Sequence, residues 1–208
     1  MATDAATADV LPIRVKEQFD DAEQQRAAAT LGMWIFLVTD LMTFAGLLLA
    51  YGALRAGAHN WPAPAFRLGI PFTAGLTFLL ICSSLTMVLA VSAAEERRRG
   101  RTLWFLALTI LGGLLFLAGQ AHEWHTLGAD KGAGLAVDQM WSTFFVITGF
   151  HGLHVLTGVV YLSVMLAVTA KGRLTDEGRS PAPLETAGLF WHFVDLVWIL
   201  VFTFVYLV

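Results

Sequence analysis

Five long apolar segments occupy most of this chain and constrain its fold more than any other feature. Each is about 20 residues or longer, which lets a helix cross a hydrocarbon core of roughly 30 Å. Because backbone polar groups in lipid must bond within their own segment, such segments cross a membrane as helices. The sequence therefore predicts an all-α fold, a polytopic membrane bundle of five transmembrane helices. The predicted spans are about 30–54, 70–93, 103–124, 141–169 and 187–208.

The composition agrees with a membrane protein. Of the 208 residues, 57% are hydrophobic and 14% charged, whereas a soluble domain carries about 25% charged residues. Residues 1–29 are polar and acidic-leaning, and we predict that they form a polar cytoplasmic N-terminal arm. The single cysteine, Cys82, excludes an internal disulfide and a thiolate cluster held by this chain alone. No basic stripe suited to nucleic acid is present, so we expect no nucleic-acid partner.

Positive charges are divided unevenly between the two sets of loops. If the five spans alternate in direction, one side holds ten of the 13 Lys and Arg residues and the other side holds three, Arg55, Arg67 and Lys131. Cytoplasmic loops carry such an excess, so the N-terminus is predicted to be cytoplasmic, or on the matrix side, and the C-terminus periplasmic. The ten are Arg14, Lys16, Arg26, Arg97, Arg98, Arg99, Arg101, Lys171, Arg173 and Arg179.

Aromatic residues fall near both ends of the predicted spans. Trp and Tyr gather at membrane interfaces, because their rings are apolar and carry one polar atom. We therefore predict an aromatic belt at each interface. Its members would be Trp34, Trp104 and Trp191 on the inner side and Tyr51, Trp124, Trp141 and Tyr206 on the outer side.

Three spans each carry one acidic residue: Asp40 in the first, Glu123 in the third and Asp195 in the fifth. A carboxylate at the bilayer centre costs about 3 kcal/mol by the lower estimates, so such residues face a partner, a cavity or another helix. Asp40 lies about ten residues into the first span and so near mid-bilayer. Two hypotheses stay open for it, a protonatable proton-related site and a buried carboxyl bonded to a neighbouring helix. Glu123 lies near the outer surface, where its side chain can reach water, and a structural role is favoured.

Polar side chains pair at i, i+3 spacing in the last three spans, which places each pair on one helix face. The Glu-x-x-His repeat of a di-iron bundle is absent, and His151 and His154 on one helix cannot bind opposite faces of one haem. A haem held by His151 and His192 is conceivable but has no further support. Hydrogen bonding between helices is favoured, and we predict neither a catalytic nor a metal site. The predicted interhelical polar network comprises Gln120, Glu123, His151, His154, His192 and Asp195.

Small residues recur in the fourth span. They are Gly149, Gly152, Thr157 and Gly158. Small residues let helix backbones approach closely in a membrane. We therefore expect close helix contacts along this face, and we expect Gly152→Leu to loosen assembly.

Four motifs together indicate a family. The first span reads Leu-Gly-Met-Trp-Ile-Phe-Leu-Val-Thr-Asp over 31–40, and the third ends Gln-x-x-Glu-Trp over 120–124. The fourth reads Phe-Phe-Val-Ile-Thr-Gly-Phe-His-Gly-Leu-His-Val over 144–155, and the fifth Trp-His-Phe-Val-Asp-Leu-Val-Trp over 191–198. In order and spacing these motifs resemble those of subunit III of the haem–copper terminal oxidases, in its five-helix version. The motif positions singled out are Trp34, Gly149, Gly152, Glu185, Trp191 and Trp198.

The resemblance implies an accessory subunit of a proton-pumping oxygen reductase in aerobic respiratory electron transport. It implies no cofactor in this chain other than bound phospholipid, with haem and copper in the partner subunits. It also implies main contact with oxidase subunit I, further contact with subunit II, and a place in a bacterial inner membrane. The family's buried, proton-related carboxylate corresponds to Asp40.

The subtype is suggested by individual positions. Glu185, the pair Gln120 and Glu123, and the segment Phe150-His151-Gly152 resemble the cytochrome c oxidase type, whereas Asp40 is closer to the quinol type. We predict a cytochrome c oxidase subunit; subunit III of a quinol oxidase and an accessory protein of nitric-oxide reductase are the alternatives. A rival from another class of protein is a self-contained haem or metal membrane enzyme that uses His151, His154, His192 and Asp195. A proton-coupled transporter is disfavoured, since no span has a central Gly/Pro break.

Overall fold

The computed structural model describes residues 22–59, 61, 69–172, 174 and 181–208. Over these residues the chain is helical, without strands, and its five helices are each long and apolar enough to cross a membrane. The predicted all-α, five-helix bundle is thereby confirmed. The helices are α1 (Ala22–Gly57), α2 (Ile70–Glu95), α3 (Arg99–Lys131), α4 (Gln139–Ala170) and α5 (Ala182–Val201), which continues as a π-helical segment over Phe202–Leu207.

The helices extend past the apolar spans because local signals set their ends. α1 includes residues 22–29, which were expected to belong to the polar arm; residues 1–21 lie outside the described residues. The Asp138 side chain caps α4 by accepting a hydrogen bond of 2.8 Å from the Trp141 backbone N–H, which satisfies an otherwise unbonded donor. α3 ends at Gly132, whose φ of 61° is left-handed and suits a residue without Cβ.

α5 occupies the centre of the bundle. It packs on α1, α2 and α4, whereas α1 makes its main contacts only with α5 and α4. α2 and α3 form the most extensive helix pair. Large side chains of α5 therefore fill the core; Trp191 and Trp198 are 1% and 0% exposed. This arrangement leaves one side of α1 open along the bundle.

The small residues of α4 accept side chains rather than helix backbones. A Cβ built on Gly158 would lie 2.8 Å from Cε3 of Trp191, and one on Gly149 would lie 3.3 Å from Cη2 of Trp124. A Cβ on Gly152 would meet nothing within 4 Å, and Thr157 is exposed. The prediction of a close helix contact is therefore wrong for Gly152 within this chain, because that position faces outward.

The aromatic belt is only partly present. Trp34 and Trp104 are 52% and 64% exposed, as an interfacial ring requires. Four of the other predicted members are buried in the bundle, which makes the prediction wrong for them. The reason is helix rotation: sequence depth fixes how far along a helix a ring lies, but not which way it points. The buried four are Tyr51, Trp141, Trp191 and Tyr206.

Candidate functional site

Asp40 is paired with a histidine on another helix. Asp40 on α1 is 9% exposed, and its Oδ1 lies 3.3 Å from Nε2 of His154 on α4. The other ring nitrogen of His154, Nδ1, lies 2.7 Å from the carbonyl oxygen of Phe150, one turn earlier. Asp40 Oδ2 is buried and has no hydrogen-bond partner among the described residues. The structure thus joins two residues that the sequence singled out separately.

The surroundings of this pair are aromatic. The ring of Phe44 lies 5.2 Å from the ring of His154 and 4.9 Å from that of Phe150. Phe44 is itself 2% exposed. In such a low-dielectric setting, attraction between opposite charges is stronger than in water, and an unpaired charge is costly.

Glu123 lies in a separate cluster and is 5% exposed. Thr73 Oγ1 on α2 donates to its Oε1 at 2.8 Å, and the Tyr206 hydroxyl donates to its Oε2 at 2.9 Å. Glu123 thereby ties α2, α3 and the π-helical segment together, and its carboxylate does not reach water at the surface of this chain. Gln120, one turn earlier, is 4% exposed, and its amide has no hydrogen-bond partner among the described residues.

His192 and Asp195 form a third group, which faces α2. The Nδ1 atom of His192 lies 2.6 Å from the Ser84 hydroxyl oxygen. Asp195 is 7% exposed and approaches the same hydroxyl, while its Oδ1 has no partner among the described residues. This i, i+3 pair lies at the contact between α5 and α2.

His151 does not make the interhelical hydrogen bond expected of it. It is fully buried, and neither ring nitrogen has a partner among the described residues. Its ring packs 4.8 Å from the Trp198 ring and 5.7 Å from the Phe116 ring. Within the described chain, hydrogen bonds and ion pairs place four of the six predicted network residues in three separate groups and leave Gln120 and His151 outside them.

Glu185 binds a residue of α1 at the start of α5. Nη2 of Arg26 donates to Glu185 Oε1 at 2.7 Å, and the two side chains are 51% and 24% exposed. The motif position Glu185 thus fixes the end of α1 against α5. Arg26 lies in the range predicted as the polar arm, and no sequence pattern there indicates a partner.

Residues for a metal centre are not gathered in the part of the chain that the structure describes. No group of three or more His, Cys, Asp or Glu side chains there is arranged to hold a metal ion. His151 is wedged between aromatic rings, and one nitrogen of His192 is bonded to Ser84. The chemistry that these groups offer is proton binding and hydrogen bonding between helices.

Two apolar grooves follow the open side of α1. One, of about 240 Å³, is lined by residues that include Trp34, Leu37, Phe193 and Leu196. The other, of about 350 Å³, shares Leu41 with the first. Both lie between α1 and α5 and carry almost no polar surface.

Comparison with known proteins gives matches along nearly the whole chain. The family model described as cytochrome c oxidase subunit III matches residues 18–208. A cytochrome c oxidase subunit 3 of Corynebacterium diphtheriae is 38% identical over 200 residues, covering 91% of this chain and 96% of that one. A cytochrome bo(3) ubiquinol oxidase subunit 3 of Pseudomonas aeruginosa is 33% identical over 193 residues, covering 93% and 91%. A probable cytochrome c oxidase subunit 3 of Mycobacterium bovis is 36% identical over 181 residues, covering 86% and 87%.

Proposed function

The chain belongs to the cytochrome c oxidase subunit III family, and from this membership we propose that it is accessory subunit III of a proton-pumping haem–copper oxygen reductase. The observation that carries the proposal is the family match over residues 18–208, which agrees with the four sequence motifs. The chain is an integral membrane protein, and its described residues include five apolar helices long enough to cross a membrane. Its proposed task is to stabilise the complex that transfers electrons to oxygen in aerobic respiration.

The partners proposed are oxidase subunit I, as the main contact, and subunit II, with the haem and copper in those chains. The large apolar area that the bundle leaves exposed supports contact with such partner subunits. Leu49 of α1 and Leu153 of α4, for example, are 74% and 57% exposed. Such faces in a membrane protein contact lipid or another subunit.

Bound phospholipid is the further ligand proposed. The two grooves between α1 and α5 are lined by apolar side chains of both helices, which suits acyl chains. The proposed orientation keeps the N-terminus on the cytoplasmic side of a bacterial inner membrane, supported by the ten positive residues of that side. The test is a reporter enzyme that works only in the periplasm, fused after Val208. Under this orientation the fused reporter should be active.

The electron donor proposed for the complex is cytochrome c. The resemblance at Glu185 supports this type, whereas the Asp side chain at position 40 favours the quinol alternative. The relatives of both types are of similar identity, 38% and 33%. An accessory protein of nitric-oxide reductase is the remaining alternative.

The deciding experiment is mass spectrometry of whatever co-purifies with this chain in mild detergent. We expect a large haem-bearing subunit in fixed ratio, together with a copper-binding partner if cytochrome c is the donor. A partner without copper would favour the quinol type. A chain that emerges alone and monodisperse would contradict the proposal, and a Soret band with bound iron in that lone chain would favour the enzyme hypothesis.

A proton-related role is proposed for Asp40, because its carboxylate is buried beside a histidine. Asp40→Asn should leave the haem spectrum of the complex unchanged, since the haem lies in other subunits. Its oxygen-reduction activity should fall, or decay faster during turnover, at alkaline pH. Asp130→Asn, at an exposed acidic position at the end of α3, is the matched control. Equal activity and lifetime of the Asp40 variant at every pH would retire this role.

A further inference from the structure

A third pocket lies where α1, α2 and α5 meet, and we propose that it binds the head of a lipid-soluble hydroquinone. The pocket has a volume of about 410 Å³ and is called the polar pocket below. The inference concerns binding alone, without electron transfer, and goes beyond the proposed function. The polar side chains that line the pocket are Thr30, Ser92, Glu95, Glu185 and His192.

The polar pocket continues into the 240 Å³ groove between α1 and α5. Leu189 and His192 line both of them. From there the groove follows α1 past Trp34 to Leu41 and carries almost no polar surface. A polar chamber with an apolar extension suits a ligand that has a polar head and an apolar tail. The second groove, beyond Leu41, remains available to an acyl chain of the proposed phospholipid.

The charges around the polar pocket disfavour a phosphate head. Glu95 and Glu185 line the pocket, and an ionised carboxylate only accepts hydrogen bonds and repels another anion. The cation described beside them, Arg26, is already engaged, because its Nη2 donates to Glu185 Oε1 at 2.7 Å. The head that fits must therefore donate hydrogen bonds and carry no negative charge.

The depth of the polar pocket disfavours a cationic head. Its lining reaches from Glu185 to His192, seven residues further along α5, which is a rise of roughly 10 Å into the span. A cation held that deep in a membrane is costly unless an anion lies beside it. His192 offers no such anion, since its Nδ1 lies 2.6 Å from the neutral hydroxyl of Ser84. An uncharged head is therefore favoured.

The spacing of Glu185 and His192 selects a head with two hydroxyl groups. A hydroquinone carries one hydroxyl at each end of a flat ring, and with two hydrogen bonds of about 2.8 Å it bridges partners about 11 Å apart. One hydroxyl then donates to the Glu185 carboxylate. The other meets Nε2 of His192, the ring nitrogen that Ser84 does not occupy. A hydroxyl can donate or accept, so it suits either form of this nitrogen.

The test is photolabelling of the purified complex with a decyl-substituted benzohydroquinone that carries an azido group. The complex is kept anaerobic and reduced, so that the probe is not consumed by turnover. We expect peptides of α1, α2 or α5 that line the polar pocket to be labelled. Excess unlabelled decyl hydroquinone should prevent this labelling, whereas phosphatidylethanolamine should not. Protection by phosphatidylethanolamine would overturn the proposed head chemistry and assign the pocket to a phospholipid.

Substitutions that fill the polar pocket provide the second arm. Ser92→Phe, at an exposed position on α2, places a ring in the pocket without changing its charge and should abolish the labelling. Thr30→Phe fills the pocket from α1 and should do the same, so the test survives if one variant fails to assemble. Ser163→Phe, at an exposed serine of α4 outside the pocket lining, is the matched control and should be labelled as wild type is. Labelling that persists in both pocket variants would overturn the proposal.

The position of the label separates failure of this inference from failure of the proposed function. Label found in the partner subunits alone would overturn the inference and leave the accessory role intact. A chain that is labelled in the polar pocket but co-purifies with no oxidase subunit would refute the proposed function alone.

Discussion

Gly158→Ala tests how tightly the central helix is held. The added Cβ would lie 2.8 and 2.9 Å from Cε3 and Cζ3 of Trp191 and 3.3 Å from Phe190 Cε1, well inside the contact distance of about 3.5 Å or more. Trp191 has little room to retreat, since it is 1% exposed and its Nε1 donates to Ser83 Oγ at 3.2 Å. Overpacking of this kind costs about 1–3 kcal/mol.

Gly152→Ala is the matched control on the same helix. Its Cβ would meet nothing within 4 Å, while the gain in helix propensity, about 1 kcal/mol, is common to both variants and cancels in the comparison. We therefore expect Gly158→Ala to be less stable than Gly152→Ala by about 1–3 kcal/mol. The assay is unfolding of the detergent-solubilised protein followed by tryptophan fluorescence. Equal free energies of unfolding for the two variants would refute the packing derived for Trp191.

Two further predictions concern hydrogen bonds and charge. Tyr206→Phe removes the donor to the buried Glu123 carboxylate and should lower the free energy of unfolding by about 1.5–3 kcal/mol. The control is Tyr51→Phe, which removes a buried hydroxyl without a partner among the described residues. It should cause no measurable loss in the same denaturation assay. Arg26→Gln breaks the partly exposed pair with Glu185 and should cost at most about 1 kcal/mol. That loss should shrink as salt is added, and a loss independent of salt would contradict a surface ion pair.

The bundle was predictable because lipid leaves a long apolar segment almost no choice. Backbone groups must bond within the segment, so hydrophobicity and length predict a helix without knowledge of its neighbours. The ends were less predictable, since α1 already includes residues 22–29, ahead of the predicted span, and α4 is capped by Asp138. Caps and amphipathic turns carry helices beyond the hydrocarbon core, where hydrophobicity no longer reports on structure.

The sequence predicted which residues belong to the candidate site better than it predicted which residues they contact. Asp40 and His154 both stand out as polar residues within apolar spans, but their pairing depends on how α1 and α4 are rotated. The sequence did not predict Thr73 and Tyr206, the partners of Glu123, as site residues. A threonine in a span resembles a small packing residue, and a tyrosine near its end resembles a member of the interfacial belt.

The sequence by itself determined the five apolar helices, the family motifs and the set of polar side chains that must find partners away from water. Only the tertiary structure decided the partners: Asp40 with His154, Glu123 with Thr73 and Tyr206, His192 with Ser84, and His151 with aromatic rings alone. The physical reason is that hydrophobicity and spacing act along one helix. Helix rotation and neighbour choice come from packing around Trp191 and Trp198, whose contacts join residues far apart in the chain.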